Sequence, residues 1–123
     1  MKSKKYNCPV ELTVEVMGGK WKSRIMWHLT KNSYRYGELR KLIPGITQKM
    51  LTQSLRELEA DGLIARNAYD GKIPKVEYFL THYGESTTPL LQLMSQWGKN
   101  HKLRIENTEE TRPIQTKTLV NPQ

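Results

Sequence analysis

PGITQKMLTQSLREL, residues 44–58, joins a turn to a helix start and then to two contrasting helix faces. Pro44-Gly45 is a turn pair, and Thr47 suits an N-cap because its hydroxyl can accept from a backbone N–H of the first turn. Ile46 and Leu51 have the spacing of a hydrophobic staple, in which an apolar residue before the cap packs on one in the second turn. Leu51, Leu55 and Leu58 then share one face, while Lys49, Thr52, Gln53 and Arg56 share another. The first face predicts packing on a core. The second carries hydrogen-bonding groups, as a helix that reads base edges requires. Glu57, Glu59 and Asp61 come late, so the first turns are free of negative charge.

The flanking segments complete the pattern. Upstream, Gly37 is expected to open a brief helix with Leu39, Leu42 and Ile43 pointing one way, stopped by Pro44-Gly45. A short helix, a tight turn and a longer polar-faced helix make a helix-turn-helix. Before it, Cys8-Pro9 opens a helix predicted to run to Met17, with Val10, Val14 and Met17 at helical spacing and Gly18-Gly19 as its stop. Trp21, Ile25 and Leu29 mark a second helix, surrounded by Lys20, Lys22, Arg24 and Lys31. Residues 33–36 allow no more than a small edge strand. Downstream of Gly62, residues 63–69 and 76–80 alternate as strands around the turn chemistry of residues 70–75, predicting a hairpin with a basic tip. Helical character returns from Thr81 to about Glu106, with Leu90, Leu93, Met94 and Trp97 on one stripe. Pro89 either kinks one helix or opens a new one capped by Thr88. The fold class is therefore mainly α with a small β-hairpin (α+β), a winged helix-turn-helix. Residues 1–7 form a basic arm, 8–106 the domain and 107–123 an aperiodic, flexible tail.

A chain of 123 residues with 20 Lys and Arg against 12 Asp and Glu is one domain with a basic excess, which favours a polyanionic partner. No run approaches the length of a membrane span, and no apolar segment follows the N-terminal lysines as in a secretory signal, so the expected location is the cytoplasm, with the nucleoid. The single cysteine, Cys8, fits a reducing compartment. His28, His82 and His101 are far apart in sequence and share no metal-ligand spacing with Cys8. No phosphate-binding loop or nucleophile motif is present, so the chain is not expected to be an enzyme or to carry a cofactor.

Five blocks in order, CPVE at 8–11, GGKWK at 18–22, PGITQKMLTQ at 44–53, LRELEADGLI at 55–64 and VEYFLT at 76–81, closely resemble the HxlR family of bacterial winged-helix transcription regulators. The resemblance covers roughly residues 7–98. It implies a homodimer, built from the first and last helices, on a pseudo-palindromic operator, with repression the expected mode. Val10, Val14, Leu90, Met94 and Trp97 are the apolar residues such an interface would use; alternatively they are intrachain core.

Duplex DNA as partner assigns the polar residues two tasks. Thr47, Gln48 and Lys49 stand near the entry to the major groove, and Thr52, Gln53 and Arg56 lie along the exposed face; these would read bases. Arg24, Arg35, Lys72 and Lys75 would neutralise phosphates, the last two from the wing. A winged helix can also bind RNA or protein, but the polar face here has no aromatic stacking platform of the kind single-stranded RNA needs. Cys8 falls at a helix N-cap, where backbone amides favour an anion and hence a thiolate. Some members of the family use a cysteine near this position to sense oxidants or electrophiles. Cys8 is accordingly either a sensor, with a small thiol or electrophile as its partner, or a partly buried cap.

Overall fold

The computed structural model describes residues 8–69 and 75–107. In chain order these form α1 (Pro9–Met17), α2 (Lys22–Leu29), β1 (Tyr34–Arg35), α3 (Tyr36–Leu42), α4 (Gln48–Ala60), β2 (Ile64–Tyr69), β3 (Lys75–Leu80), α5 (His82–Glu85) and α6 (Thr88–Glu106). They fall into two compact units, one ending at Leu91 and one beginning at Gln92, so the division lies within α6.

Local chemistry explains most element ends. Pro9 sits in the first turn of α1, where its missing N–H costs nothing, and Gly18 closes that helix by donating its N–H to Val14 O at 2.7 Å. Gly45, in the turn between α3 and α4, has φ +89°, a left-handed conformation that a side chain would strain. Thr47 then caps α4: the Met50 N–H donates to its Oγ1 at 3.1 Å. Ile46 and Leu51 are both buried, as the staple requires.

Three expectations are corrected. The short helix starts at Tyr36 rather than Gly37, because the Arg35 N–H is taken by the Glu38 carboxylate at 2.7 Å, one half of a capping box. Leu42 is 38% exposed while Leu39 and Ile43 are fully buried, since a helix of two turns cannot aim all three at one core. Helix α6 is capped by Thr87, not Thr88: the Leu91 N–H donates to Thr87 O at 2.9 Å, and Thr88 lies inside the helix. Pro89 thus falls in the first turn of a new helix and kinks nothing.

The hairpin is real but belongs to a larger sheet. β2 and β3 pair antiparallel from Ile64↔Leu80 to Tyr69↔Lys75, and β1 pairs with β3 through Tyr34↔Tyr78 and Arg35↔Glu77, giving the order β1-β3-β2. Residues 70–74, the hairpin tip, lie outside the described residues, as do the N-terminal arm and the tail beyond Asn107.

In the unit ending at Leu91, α2 packs against α3, α4 and β3. Ile25 and Met26 from α2, Leu39 from α3, Ile43 from the turn and Leu51, Leu55 and Leu58 from α4 are fully buried together. Each such side chain contributes about 1.5–3 kcal/mol by leaving water. The leucine face of α4 is therefore fixed in the core, and its polar face is fixed outward.

Candidate nucleic-acid interface

Gln48, Lys49, Thr52, Gln53 and Arg56 line one open concavity of about 810 Å³ along α4, so the five predicted base-reading residues of that helix share one surface. Gln48, Lys49, Gln53 and Arg56 are exposed, and Thr52 is half-buried. Thr47 stands at the N-terminal end, its hydroxyl oxygen occupied by the cap. Tyr36, at the start of α3, reaches across to this helix. Its hydroxyl donates to Gln48 O at 2.9 Å and lies 2.9 Å from Thr52 Oγ1.

The late acidic residues of α4 are answered by cations of other elements. Glu57 Oε1 is 3.1 Å from Lys22 Nζ, and its Oε2 accepts from Gln53 Nε2 at 3.2 Å. Glu59 Oε2 is 2.9 Å from Arg66 Nε on β2. Unlike Arg24, Lys22 does not face solvent: its side chain is 14% exposed, and Nζ also donates to Glu15 O at 3.2 Å. The carboxylates nearest the polar face are neutralised from behind, which keeps that face receptive to an anionic partner.

Of the predicted phosphate contacts, Arg24 is exposed on α2 with its guanidinium 5.3 Å from the Trp21 ring centre, and Arg35 is exposed at the start of α3. Lys75 opens β3 with Nζ 5.8 Å from the Tyr69 ring centre. Lys72 lies outside the described residues. Two ionisable groups depart from their ordinary values. His28 is held below 6.5 by burial, then by the Arg24 and Lys31 charges, and stays neutral near pH 7. Burial raises the Tyr78 phenol, against the opposing Arg66 charge.

Cys8 occupies the N-cap of α1 as expected, but it is exposed, so the partly buried alternative does not describe it. Val10, Val14, Leu90, Met94 and Trp97 are all exposed in the protomer, Val10 and Trp97 each at 68%; as intrachain core they are ruled out. Trp97 instead stacks on His101 within α6, with ring centres 4.9 Å apart. Trp21 and Trp27 pack half-buried against the core. Among the described residues no group of His, Cys, Asp and Glu could hold a metal ion, and no helix is long and apolar enough to cross a membrane.

Sequence reasoning missed Tyr36, the Lys22–Glu57–Gln53 chain and the Arg66–Glu59 pair. Each joins residues from different elements or distant turns, and no local spacing announces them. The one available signal was the excess of acid late in α4, which called for partners.

A helix-turn-helix whose second helix turns a polar face to solvent, followed by an antiparallel wing, defines a winged-helix protein. The chain belongs to the HxlR-like helix-turn-helix family, whose model matches residues 16–106. That match starts later and ends later than the resemblance read from the sequence, leaving Cys8 outside it and taking in all of α6 beyond Trp97. The chain is a helix-turn-helix transcriptional regulator. It is 55% identical over 105 residues to the HTH-type transcriptional regulator YtcD of Bacillus subtilis (strain 168), covering 85% of this chain and 83% of YtcD. Its fold matches a crystal structure of YtcD with a TM-score of 0.74, covering 79% and 99% of the two chains at 55% identity. It also matches the redox regulator HypR in its reduced form, with a TM-score of 0.76 and 44% identity over 81% of this chain and 99% of that one.

Proposed function

We propose that this protein is a cytoplasmic, sequence-specific binder of double-stranded DNA, acting on the nucleoid as a homodimer at a pseudo-palindromic operator and repressing transcription by occupying it. The observation that carries this is the polar face of α4: exposed Gln48, Lys49, Gln53 and Arg56 stand together, and the acid beside them, Glu57, is engaged by Lys22 and Gln53. A glutamine amide can pair bidentately with adenine and lysine or arginine with guanine, whereas Lys75, Arg24 and Arg35 would neutralise phosphates. Among the described residues no aromatic lines this concavity, which favours a duplex over single-stranded RNA.

Dimerisation is supported by apolar residues exposed on α1 and α6. A response to thiol-reactive compounds is supported by the exposure of Cys8 and by the likeness to HypR, a redox regulator. With one cysteine per chain, oxidation would join two protomers through Cys8 or join Cys8 to a small thiol, and an electrophile would alkylate it.

Duplex fragments selected from genomic DNA, with and without diamide, test the whole proposal. A palindromic motif enriched from reduced protein is the expected result; enrichment lost after diamide would implicate Cys8, and enrichment retained would discard the switch. Against that motif, Gln48→Ala should relax preference at one base pair per half-site. Lys75→Ala should weaken all sequences alike and lower the salt slope by about one. Equal losses on every sequence for both variants would refute the division between reading and anchoring. Preferential binding of single-stranded DNA or RNA in competition would refute the duplex.

A further inference from the structure

Tyr36 places one phenolic oxygen 2.9 Å from two oxygens of α4, the Gln48 carbonyl and Thr52 Oγ1. A phenol has a single proton, and a carbonyl can only accept. The bond to Gln48 therefore takes the Tyr36 proton, and the contact with Thr52 is a hydrogen bond when Thr52 donates to the phenolic oxygen. The chain runs in one direction, from Thr52 to Tyr36 to the Gln48 carbonyl. That carbonyl is also the acceptor four residues back that a helical threonine ordinarily uses; here Tyr36 occupies it. Thr52 thus meets the open concavity of α4 with lone pairs and a methyl group, its proton engaged behind it.

The geometry points to Tyr36 as a specificity-determining residue: by holding the Thr52 proton it makes Thr52 an acceptor, matched to the exocyclic amino group of adenine or cytosine in the major groove. Guanine N7 and O6 and thymine O4 are acceptors themselves and gain nothing from it. The inference rests on the proposal that α4 reads duplex DNA. Tyr36 itself need touch no base; it acts through the direction of one hydrogen bond.

The test is selection of duplex sequences by the full chain and by Y36F, T52V and the double variant, with thermal unfolding of each recorded. Wild type should prefer an amino-bearing base at one position per half-site by about 3- to 10-fold, the range of one net hydrogen bond. Y36F keeps the ring but vacates the Gln48 carbonyl and removes the phenolic oxygen, so Thr52 turns its hydroxyl back onto its own helix and no longer holds its lone pairs toward the groove; the variant should reduce that preference to about 2-fold or less while leaving other positions unchanged. T52V should abolish it, and Y36F should then add nothing. An unchanged Y36F motif, a uniform loss at all positions, or a Y36F effect that persists in the T52V background would overturn the assignment. If Y36F is unfolded, T52V decides alone, because selectivity retained at every position without the threonine hydroxyl is incompatible with the assignment. A wild-type protein that enriches no duplex motif would instead defeat the underlying proposal of DNA reading.

Discussion

Lys22 connects three helices through one ammonium group: it belongs to α2, donates to Glu15 O in α1 and pairs with Glu57 of α4. Glu57 in turn accepts from Gln53, so a buried-stem lysine orients a side chain on the polar face two contacts away. The neighbouring Glu59–Arg66 pair, more exposed, ties α4 to the wing and contributes little energy of its own. His28 shows the opposite electrostatic situation on the same helix. Burial, then the Arg24 and Lys31 charges, disfavour its protonated form, so its folded value lies below the ordinary 6.5. Above 6.5 both folded and unfolded chains carry a neutral imidazole and this site leaves stability at its full value. As pH falls through that value toward the lower folded one, the unfolded chain takes up the proton first and stability declines. His28→Gln should flatten this part of the profile, measured as urea midpoints between about pH 7.5 and about pH 5. The effect is modest, because much of the ring remains in contact with water. An equal decline in both proteins would assign the acid sensitivity to other groups.

Helix α5, of one turn, is held to the backbone between α4 and β2. Thr81 caps it, its Oγ1 accepting from the Gly84 N–H at 2.9 Å and donating to Gly62 O at 2.6 Å, while the Thr81 N–H donates to Leu63 O at 3.1 Å. Gly84 is buried here, and a Cβ at this position would run into the Leu63 carbonyl. Backbone cannot yield as a flexible side chain can. Gly84→Ala should therefore destabilise by about 2–3 kcal/mol in urea unfolding. Gly98→Ala is the contrast: nothing lies within 4 Å of a Cβ there, and the position is an exposed helix interior, so it should stabilise by about 0.5–1 kcal/mol. A neutral Gly84→Ala would mean that α5 can move off the Leu63 backbone at no cost. The two glycines also mark what could be read from the chain. The α4 start was legible because turn, cap, staple and leucine face all lie within a few residues, and the wing because its alternation is local. Tyr36, Gly84 and the pairing of β1 with β3 were not, since each depends on residues brought together from distant positions. The polar face of α4 was legible as a set; the engagement of Thr52 and Gln53 by neighbours was not.

The whole chain carries a formal charge of +8, and the described apolar residues that remain exposed are concentrated in α1 and α6. Charge of this size draws a protein to DNA of any sequence and keeps like copies apart in the absence of a specific interface. The proposed dimer would therefore have to be held by apolar contact, and Val10, Val14, Leu90, Met94 and Trp97 are among the exposed apolar residues of α1 and α6 that would supply it. Val14 is 59% exposed and Trp97 68%, so neither helps to hold its own protomer together through burial. Charge placed at either should accordingly spare the fold and act on association alone. Val14→Glu and Trp97→Glu are expected to keep the helical spectrum and thermal unfolding of a folded protomer yet sediment as monomers at micromolar concentration. Linking two half-site contacts raises overall affinity by about 10²–10⁴-fold, so monomeric variants should lose operator affinity by a similar factor while retaining weak, salt-sensitive binding to any duplex. Variants that still sediment as dimers would place the interface elsewhere. Variants that become monomeric but bind the operator undiminished would show that one recognition helix suffices, and the two-fold operator would no longer follow from the protein.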